Sequence, residues 1–289
     1  MLYTLTMHPA VDLFFTPALR SDAAVRAGGK GVNVSRFLRA LGRPSRCIVL
    51  CGGARGRFLC ASLAEEGLDV LPVDDPDGLC RINLKCTGAQ ELALDGRGRV
   101  SAGAAERVLG LLDGLLRPGD LLAACGSLPD GADAGFYAAA VRLARDKGAQ
   151  SIVDTSGEAL RLSLDAAPTL LRCNRAEASA FSDAADACGA AREAVARGAA
   201  AALVSDGANG AYLCTQGEVF YSPARKTTPR TTVGAGDALT AAYIDGALRG
   251  LRGQALLSHC TAFAADVIAT PLPGAARDGR WPPRPRRGA

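Results

Sequence analysis

Short apolar stretches recur along the chain and predict the strands of a buried sheet. Most of them carry apolar residues at consecutive positions, so they lack the polar face of a strand that borders solvent. This pattern is typical of parallel strands that are covered on both sides. The stretches are LYTLTM at 2–7, RCIVLCGG at 46–53, DLLAACGS at 120–127, SIVDTSG at 151–157, TLLRCN at 169–174 and AALVSDG at 201–207.

Amphipathic stretches with helical spacing lie between these strands and after them. The repeated order of strand, helix and strand predicts an α/β fold, in which a mostly parallel central sheet has helices on both faces. Near the end, GAYLCT and GEVFYS meet at Gln216-Gly217 and predict a hairpin. The predicted helices are 31–41, 56–66, 104–116, 134–147, 187–197, 235–250 and 254–269.

Two segments break this alternation. Residues 13–27 and 83–100 are short and rich in turn residues, and the second shows some strand-like alternation. They are interpreted either as surface loops or as parts of a small β flap over a ligand crevice. A crevice is expected because several predicted strands end in small or polar residues, and ligands of open α/β sheets bind beyond the carboxyl ends of the strands.

The composition is that of a soluble globular protein, with 48% hydrophobic and 21% charged residues in a chain of 289. No apolar run approaches the roughly 20 residues that span a bilayer. The N-terminal MLYTLTMHPAVD lacks the basic segment and long apolar core of a secretion signal, so a cytoplasmic enzyme is expected. The ten cysteines form no C-x-x-C pair and only two histidines accompany them, which argues against a zinc cluster and predicts reduced thiols.

The net charge of +4 has a local origin. Five arginines and one aspartate lie in Arg277–Ala289, which equals the whole excess. Residues 271–289 are therefore predicted to form a disordered Pro/Arg-rich tail after a single domain at 1–270. Because the rest of the chain is balanced in charge, no nucleic-acid partner is expected.

The stretch TTVGAGD at 231–237 carries the clearest chemical signal. The first N–H groups of a helix lack internal partners, and glycines leave them open to an anion such as a phosphoryl group. A carboxylate directly behind them cannot bind that anion, but it can accept a proton from an attacking hydroxyl. The alternative is an acid that caps its own helix and interacts favourably with the dipole. These residues alone leave both interpretations open.

Four motifs together resemble the phosphofructokinase-B family of ribokinase-like sugar kinases. They are TLTMHPAVD at 4–12, GGKGVNVSR at 28–36, CGSLPDG at 125–131 and TVGAGD at 232–237. Between them, RINLK at 81–85, DTSGEAL at 154–160, NRAE at 174–177 and SDGANGAY at 205–212 follow in the order expected for the family. The resemblance covers residues 1 to about 265 and implies a ribokinase-like domain with a flap at about 13–27 and 83–100.

Within that family the chain is most similar to the hexose-phosphate branch, which holds 1-phosphofructokinases and tagatose-6-phosphate kinases. RINLK and DTSGEAL favour 1-phosphofructokinase activity. The resemblance then implies ATP and Mg²⁺ as cofactors, a sugar phosphate as substrate, no membrane partner and a homodimer formed through the flap. The alternatives are a tagatose-6-phosphate kinase and a catalytically impaired relative that binds a sugar phosphate or a nucleotide.

The resemblance also implies roles for individual residues. Asp237 would be the general base, and the turn Gly234-Ala235-Gly236 would hold the transferring phosphoryl group. The residues implied on the sugar side are Asp12, Gly29, Lys30, Asn33, Arg81 and Ser127, with Lys85 as a weaker candidate. Those implied on the nucleotide side are Arg172, Asn174, Ser205, Gly207, Gly210 and Thr232. Asn174 and Glu177 would also order Mg²⁺ through water.

Three of these residues have simpler interpretations. Asp12 could be a capping acid, Arg81 a solvated charge at the end of a strand, and Glu177 the acid of a capping box. The chain also departs from the family pattern at Arg172-Cys173-Asn174, where Lys-Pro-Asn is usual, and in a shorter first flap segment. An arginine keeps the charge of the family lysine but not its shape.

Overall fold

The computed structural model describes residues 1–15, 24–86, 92–230 and 233–270. Within them the chain forms one large sheet and one small sheet, with helices on both faces of the large one. The predicted α/β class with a mostly parallel sheet is therefore confirmed. Thr232 and the tail at 271–289 lie outside the described residues.

The large sheet has the strand order β13-β12-β11-β10-β9-β8-β1-β4-β5. All strands from β11 to β5 run parallel, whereas β12 and β13 extend the sheet as the predicted hairpin. The strands are β1 (Leu2–Thr6), β4 (Arg46–Gly52), β5 (Asp69–Asp75), β8 (Leu121–Cys125), β9 (Gln150–Asp154), β10 (Leu170–Asn174), β11 (Ala201–Ser205), β12 (Ala211–Thr215) and β13 (Glu218–Ser222).

The central strands are apolar on both faces because a layer of helices covers each face. Adjacent residues of one strand enter different core clusters: Ile152 packs with helices α1, α8 and α9, whereas Val153 packs with α4, α5 and α7. The helices are α1 (Lys30–Ala40), α2 (Gly53–Glu65), α3 (Ala104–Leu115), α4 (Phe136–Asp146), α5 (Gly157–Leu164), α6 (Arg175–Ala178), α7 (Ala187–Ala196), α8 (Ala235–Leu248) and α9 (Gly253–Ile268).

The apolar pattern did not predict strand β5. Its sequence DVLPVDD contains three aspartates and a proline, and it is partly exposed. Such a strand is tolerated at the edge of a sheet, where one side needs no hydrogen-bonding partner. Continuous apolar runs identify central strands and miss edge strands for this reason.

The two segments that broke the alternation contribute to a second sheet with the order β3-β2-β6-β7. These strands are β2 (Ala10–Phe15), β3 (Ala24–Gly28), β6 (Arg81–Cys86) and β7 (Leu92–Asp95). The register aligns a polar row, Arg26, Asp12, Asn83 and Asp95, and an apolar row, Val25, Leu13, Leu84 and Leu94. Because alternate residues of a strand face opposite sides, the rows lie on opposite faces of this flap sheet. Of the two interpretations of these segments, the flap is the one that the fold supports.

Candidate active site

The sequence-predicted residues converge at the carboxyl ends of the parallel strands. Strand numbering increases outward on both sides of the β1–β8 pair, since β4 and β5 lie beyond β1, and β9 to β11 lie beyond β8. This pair is therefore the topological switch point, where open α/β sheets form their ligand crevice. The flap sheet follows directly from β1 and contributes its polar row to this region.

The glycine turn opens helix α8 as the sequence predicts. Gly234 adopts φ 84°, in the left-handed region that favours glycine, and it precedes the first helical residue, Ala235. Among the described residues, no side-chain cap bonds to this N-terminus. The first amides of α8 therefore stay available to an anion.

The carboxylate of Asp237 does not cap its own helix but contacts the opposite side of the crevice. Its Oδ2 accepts a hydrogen bond of 2.8 Å from Asn33 Nδ2, which lies on helix α1. The Asn33 carbonyl accepts from Arg36 Nη1 at 3.0 Å, and Arg36 is itself held by a two-pronged contact with Glu66. Arg36 thus fixes which end of the Asn33 amide faces Asp237.

The environment of Asp237 raises the pKa of its carboxyl group. The residue is 5% exposed, and burial, followed by the nearby charge of Asp154, raises the pKa of Asp237 to about 6. Lys30, Asn33 and Arg172 act in the opposite direction without cancelling it. A carboxyl group with a pKa near the working pH is suited to general base catalysis.

Asp154 organises the positive charges beneath the crevice. It is fully buried at the end of β9, and it accepts from Lys30 Nζ at 2.7 Å, from Arg172 Nη1 at 3.3 Å and from Thr240 Oγ1 at 3.1 Å. Although burial alone would raise the pKa of Asp154, Arg172 and Lys30 hold it below its usual value. A buried carboxylate is tolerated here because two cations neutralise it.

This network pairs two of the predicted ligand-binding cations with carboxylates of the protein. Lys30 was expected to face the sugar phosphate, but its ammonium group is bonded to Asp154 and lies 3.6 Å from Glu177. Arg172 was expected to reach toward nucleotide phosphates, but it is 4% exposed and divides its donors between Asp154 and Ser205 Oγ, the latter at 3.2 Å. Both cations lie at the crevice, and both are already paired.

The guanidinium group of Arg172 also lies directly beneath the glycine turn. A Cβ atom at Gly236 would meet the three terminal guanidinium atoms of Arg172 at 2.4–2.6 Å. The position therefore requires glycine, although its backbone is helical. The turn, Arg172 and Asp154 form one packed unit.

On the flap side, Asp12 is held by two donors of the neighbouring strand. Asn83 Nδ2 donates to its Oδ1 and Lys85 Nζ to its Oδ2, each at 2.8 Å. A Cβ atom at Gly28 would lie 2.2 Å from Asp12 Oδ2, so only glycine leaves room for this carboxylate. The structure therefore contradicts the interpretation of Asp12 as a capping acid: it belongs to a buried polar cluster facing the crevice.

The remaining sugar-side residues surround the same space. Gly29 directly precedes helix α1 with φ 134°, and a Cβ atom there would approach Thr6 Cγ2 to 2.7 Å. Arg81 is half-buried, and its Nε has no hydrogen-bond partner among the described residues, which does not fit a solvated charge. Ser127 Oγ lies 3.0 Å from His8 Nδ1.

The nucleotide-side residues line a second, largely apolar cavity between β11 and the helices α8 and α9. Its wall includes Arg172, Ser205, Gly207, Gly210 and Gly236. Gly210 needs to be glycine because it adopts φ 96° and a Cβ atom would lie 2.2 Å from the carbonyl oxygen of Ser222. Thr232 was predicted here as well, but it lies outside the described residues.

Asn174 and Glu177 form a capping box at helix α6. Asn174 Oδ1 accepts from the backbone N–H of Glu177, and Glu177 Oε2 accepts from the backbone N–H of Asn174, each at 2.8 Å. The second oxygen of Glu177 faces Lys30. Within the described residues, no group of three or more His, Cys, Asp or Glu side chains forms a metal cage. Glu177 is therefore the acid of a capping box, as its simpler interpretation states. Its second carboxylate oxygen takes no part in that box and remains for other partners.

Comparison with known proteins identifies the family of this chain. Residues 15–277 match the profile of the "pfkB family carbohydrate kinase". The chain belongs to the pfkB family. It is therefore a phosphotransferase that acts on a sugar hydroxyl, as the motifs predicted.

Several pfkB relatives match this kinase over most of its length. It is 36% identical to a 1-phosphofructokinase of Rhodobacter capsulatus, with 92% of this chain and 89% of that protein covered. It is 30% identical to a D-tagatose-1-phosphate kinase of Bacillus licheniformis, with 91% and 90% covered. The crystal structure of phosphofructokinase-2 from Escherichia coli superposes with a TM-score of 0.85 at 25% identity, with 93% of each chain covered.

Sequence reasoning missed three polar residues that shape the site of this pfkB kinase. Asn83 holds Asp12, Asp154 neutralises two cations, and Thr240 links helix α8 to Asp154. Two of them had a detectable signal: Asn83 alternates with Arg81 and Lys85 in RINLK, and Asp154 ends an apolar strand. Thr240 carried no such signal because its helix is apolar on most sides.

The pH dependence of catalysis tests the electrostatics of this pfkB site. We expect kcat/KM to rise with pH and to reach half its plateau near the Asp237 pKa of about 6. In Asp154→Asn this acid limb should move to lower pH, because Asp154 contributes to raising the pKa of Asp237. Asp113→Asn removes a largely exposed carboxylate and should leave the limb in place. An acid limb at the same pH in Asp154→Asn would contradict this account.

Proposed function

We propose that this kinase is a 1-phosphofructokinase, which transfers the γ-phosphoryl group of ATP to the free primary hydroxyl of fructose 1-phosphate and yields fructose 1,6-bisphosphate and ADP. The observation that carries the proposal is the position of Asp237. It is a buried carboxyl group with a raised pKa, it lies behind open helix amides, and it contacts Asn33 on the sugar side.

Asp237 would act as the general base. It accepts the proton of the sugar hydroxyl as that oxygen attacks the γ-phosphorus, while the bond between the γ-phosphorus and the bridging oxygen of ADP breaks. The contact with Asn33 orients one carboxylate oxygen and leaves the other for the hydroxyl. The amides of Gly234 to Gly236 would stabilise the charge on the transferring group.

The flap-side cluster would hold the sugar. Both oxygens of Asp12 are oriented by Asn83 and Lys85, and each retains a lone pair that can accept from a sugar hydroxyl. Arg81 and Ser127 supply donors for the substrate phosphate, with the guanidinium group suited to two-pronged contact. Lys30 would act indirectly, by pairing with Asp154 and by balancing the charge near Asp237. Gly29 would contact the sugar through its backbone.

The nucleotide would occupy the cavity between β11 and helices α8 and α9. Ser205, Gly207, Gly210 and Thr232 would line it, and Arg172 would support the phosphate end. The donor set suits Mg²⁺ held mainly by phosphates and water, since the part of the chain that the structure describes offers the oxygens of Asn174 and Glu177 but no protein cage. When bound, the ion would neutralise the charge of the phosphates.

The alternative substrates share the chemistry of this site. One relative named above is a D-tagatose-1-phosphate kinase, and a tagatose-6-phosphate kinase of Staphylococcus epidermidis is 27% identical over 91% of this chain. These ketohexose phosphates differ in one hydroxyl configuration or in the phosphorylated carbon. We infer fructose 1-phosphate because the relative of 36% identity is named for it.

A substrate panel tests the proposal. ATP-dependent turnover is measured by coupled ADP release with fructose 1-phosphate, tagatose 1-phosphate, tagatose 6-phosphate, fructose 6-phosphate and unphosphorylated fructose. We expect the highest kcat/KM with fructose 1-phosphate. A preference for another sugar would replace the assignment, and thermal stabilisation by ligands without any turnover would identify a catalytically impaired relative.

We also propose that the kinase is a homodimer joined through the flap sheet. The apolar row on the outer face includes Val25, Leu84 and Leu94, which are 50%, 39% and 54% exposed. Exposed apolar rows of this kind are typical of interaction surfaces. A second copy of the chain would place its own apolar row against this one, so that each row covers the other.

Disruption of this row should produce a monomer. Leu84→Glu is expected to shift the sedimentation coefficient from that of a dimer to that of a monomer, because charges would be buried in the contact. Leu248→Glu alters a residue that is 52% exposed at the end of helix α8, outside the flap, and should leave the assembly unchanged. An unmodified protein that sediments as a monomer would refute the dimer.

A further inference from the structure

The contact between His8 and Ser127 lies at the switch point of the sheet. His8 follows strand β1, and Ser127 follows strand β8, which pairs with it. The backbone before Ser127 is anchored, because the Gly126 amide donates to the Asp154 carbonyl and the Thr155 hydroxyl donates to the Gly126 carbonyl, each at 2.8 Å. These bonds fix the backbone, but they do not determine in which direction the Ser127 hydroxyl group points its proton.

His8 is neutral and has a single N–H group to place. Burial, followed by the positive charge of Arg81, lowers the pKa of His8 to about 4. Asp130 and Asp95 act in the opposite direction with smaller effect. A neutral imidazole is a donor at one nitrogen and an acceptor at the other.

The surroundings decide which nitrogen carries the hydrogen. Nδ1 lies 3.0 Å from Ser127 Oγ, whereas Nε2 is buried and has no partner among the described residues. A hydrogen on Nε2 would lack an acceptor among the described residues. The Nδ1–H form avoids this penalty, because Ser127 Oγ can accept from it, and leaves a lone pair on Nε2.

We propose that His8 is a positioning residue for the substrate: its Nδ1–H donates to Ser127 Oγ and thereby directs the Ser127 proton into the crevice, toward an oxyanion of the sugar phosphate. This inference rests on the proposed function for the identity of the ligand. A hydroxyl that accepts from an imidazole must use its own proton elsewhere. Together with Arg81 it forms a pair of donors that selects an anionic group.

A double-mutant cycle tests the coupling. His8→Leu and Ser127→Ala are each expected to raise KM for fructose 1-phosphate roughly 10- to 100-fold, the range expected for one hydrogen bond to a charged group. KM for ATP should change less than about 2-fold. The double variant should be no worse than either single one, and His8→Asn, whose amide can donate to Ser127, should recover most of the affinity.

The same variants show how the proposal could fail. Multiplicative effects in the double variant, or equal losses for ATP and sugar phosphate, would indicate a general structural role for His8. An unchanged KM in His8→Leu would refute the role altogether. Melting temperatures of all variants separate misfolding from a specific loss, and His8→Asn provides a folded comparison if His8→Leu is unstable.

The tautomer can be observed without any assay of activity. The chain has only two histidines, so ¹⁵N-edited spectra of the imidazoles are assigned by comparison with His8→Asn. We expect a protonated Nδ1 and an unprotonated Nε2 for His8 at neutral pH. A protonated Nε2 would overturn the inference even if the kinase is active. Failure of every sugar phosphate in the panel would instead overturn the proposed function and leave the tautomer result standing.

Discussion

Replacing Asp237 by asparagine is expected to lower kcat by about 10²–10⁴-fold, the range for loss of a general base. The amide keeps the size of the carboxyl group and can still contact Asn33, but it cannot accept a proton from the sugar hydroxyl. ATP binding should remain near normal because Asp237 is not among the described residues that line the nucleotide cavity. Steady-state kinetics and nucleotide titration measure the two effects separately.

The same substitution should make the protein more stable at neutral pH. The pKa of Asp237 in the folded protein, about 6, is above the ordinary aspartate value of 3.8, so the fold favours the protonated form. Protonated Asp237 stabilises the fold fully at pH values below the pKa of this group in the unfolded chain. This stabilisation is lost as the pH rises through about 6. The charged group then destabilises the fold by about 3 kcal/mol, at about 1.4 kcal/mol per pKa unit.

Thermal denaturation at two pH values checks this sign. Asp237→Asn should raise Tm by several degrees at about pH 8 and have little effect at about pH 4. Asp245→Asn is the matched control, since Asp245 is a fully buried carboxylate of the same helix with Arg43 and Arg249 as partners. It should lower Tm at neutral pH. If Asp237→Asn also lowered Tm and abolished nucleotide binding, Asp237 would be a structural residue.

Replacing Gly236 by alanine is expected to reduce kcat about 10²–10³-fold, comparable to the loss of one donor from an anion-binding turn. The new methyl group would meet the guanidinium group of Arg172 at 2.4–2.6 Å. Arg172 cannot easily move, because it is 4% exposed and bonded to Asp154 and Ser205. The turn would move instead, and displacement by about 1 Å misaligns the amides with the phosphoryl group.

Gly114→Ala is the matched control for this prediction. Gly114 lies in helix α3, and a Cβ atom there meets no atom within 4 Å. Alanine should therefore leave kcat unchanged and stabilise the helix by up to about 1 kcal/mol. Wild-type kcat in Gly236→Ala would show that the packing of Arg172 against the turn does not align the catalytic amides.

The sequence by itself determined the class of fold and the location of the crevice. Continuous apolar runs identified the central strands, because a strand buried on both faces has no polar positions. The glycine turn before Asp237 was recognisable because its signal is local: the open amides, the turn and the acid all lie within seven consecutive residues.

Only the tertiary structure decided which polar groups pair with one another. Lys30 and Asp154 are 124 positions apart, and His8 and Ser127 are 119 apart, so no local pattern relates them. Sequence periodicity indicates which face of an element a side chain occupies, whereas pairing depends on which elements the sheet order brings together. For this reason the pairing of Lys30 and Arg172 with the buried carboxylate of Asp154 could not be predicted, although all three residues lie in recognised segments of the sequence.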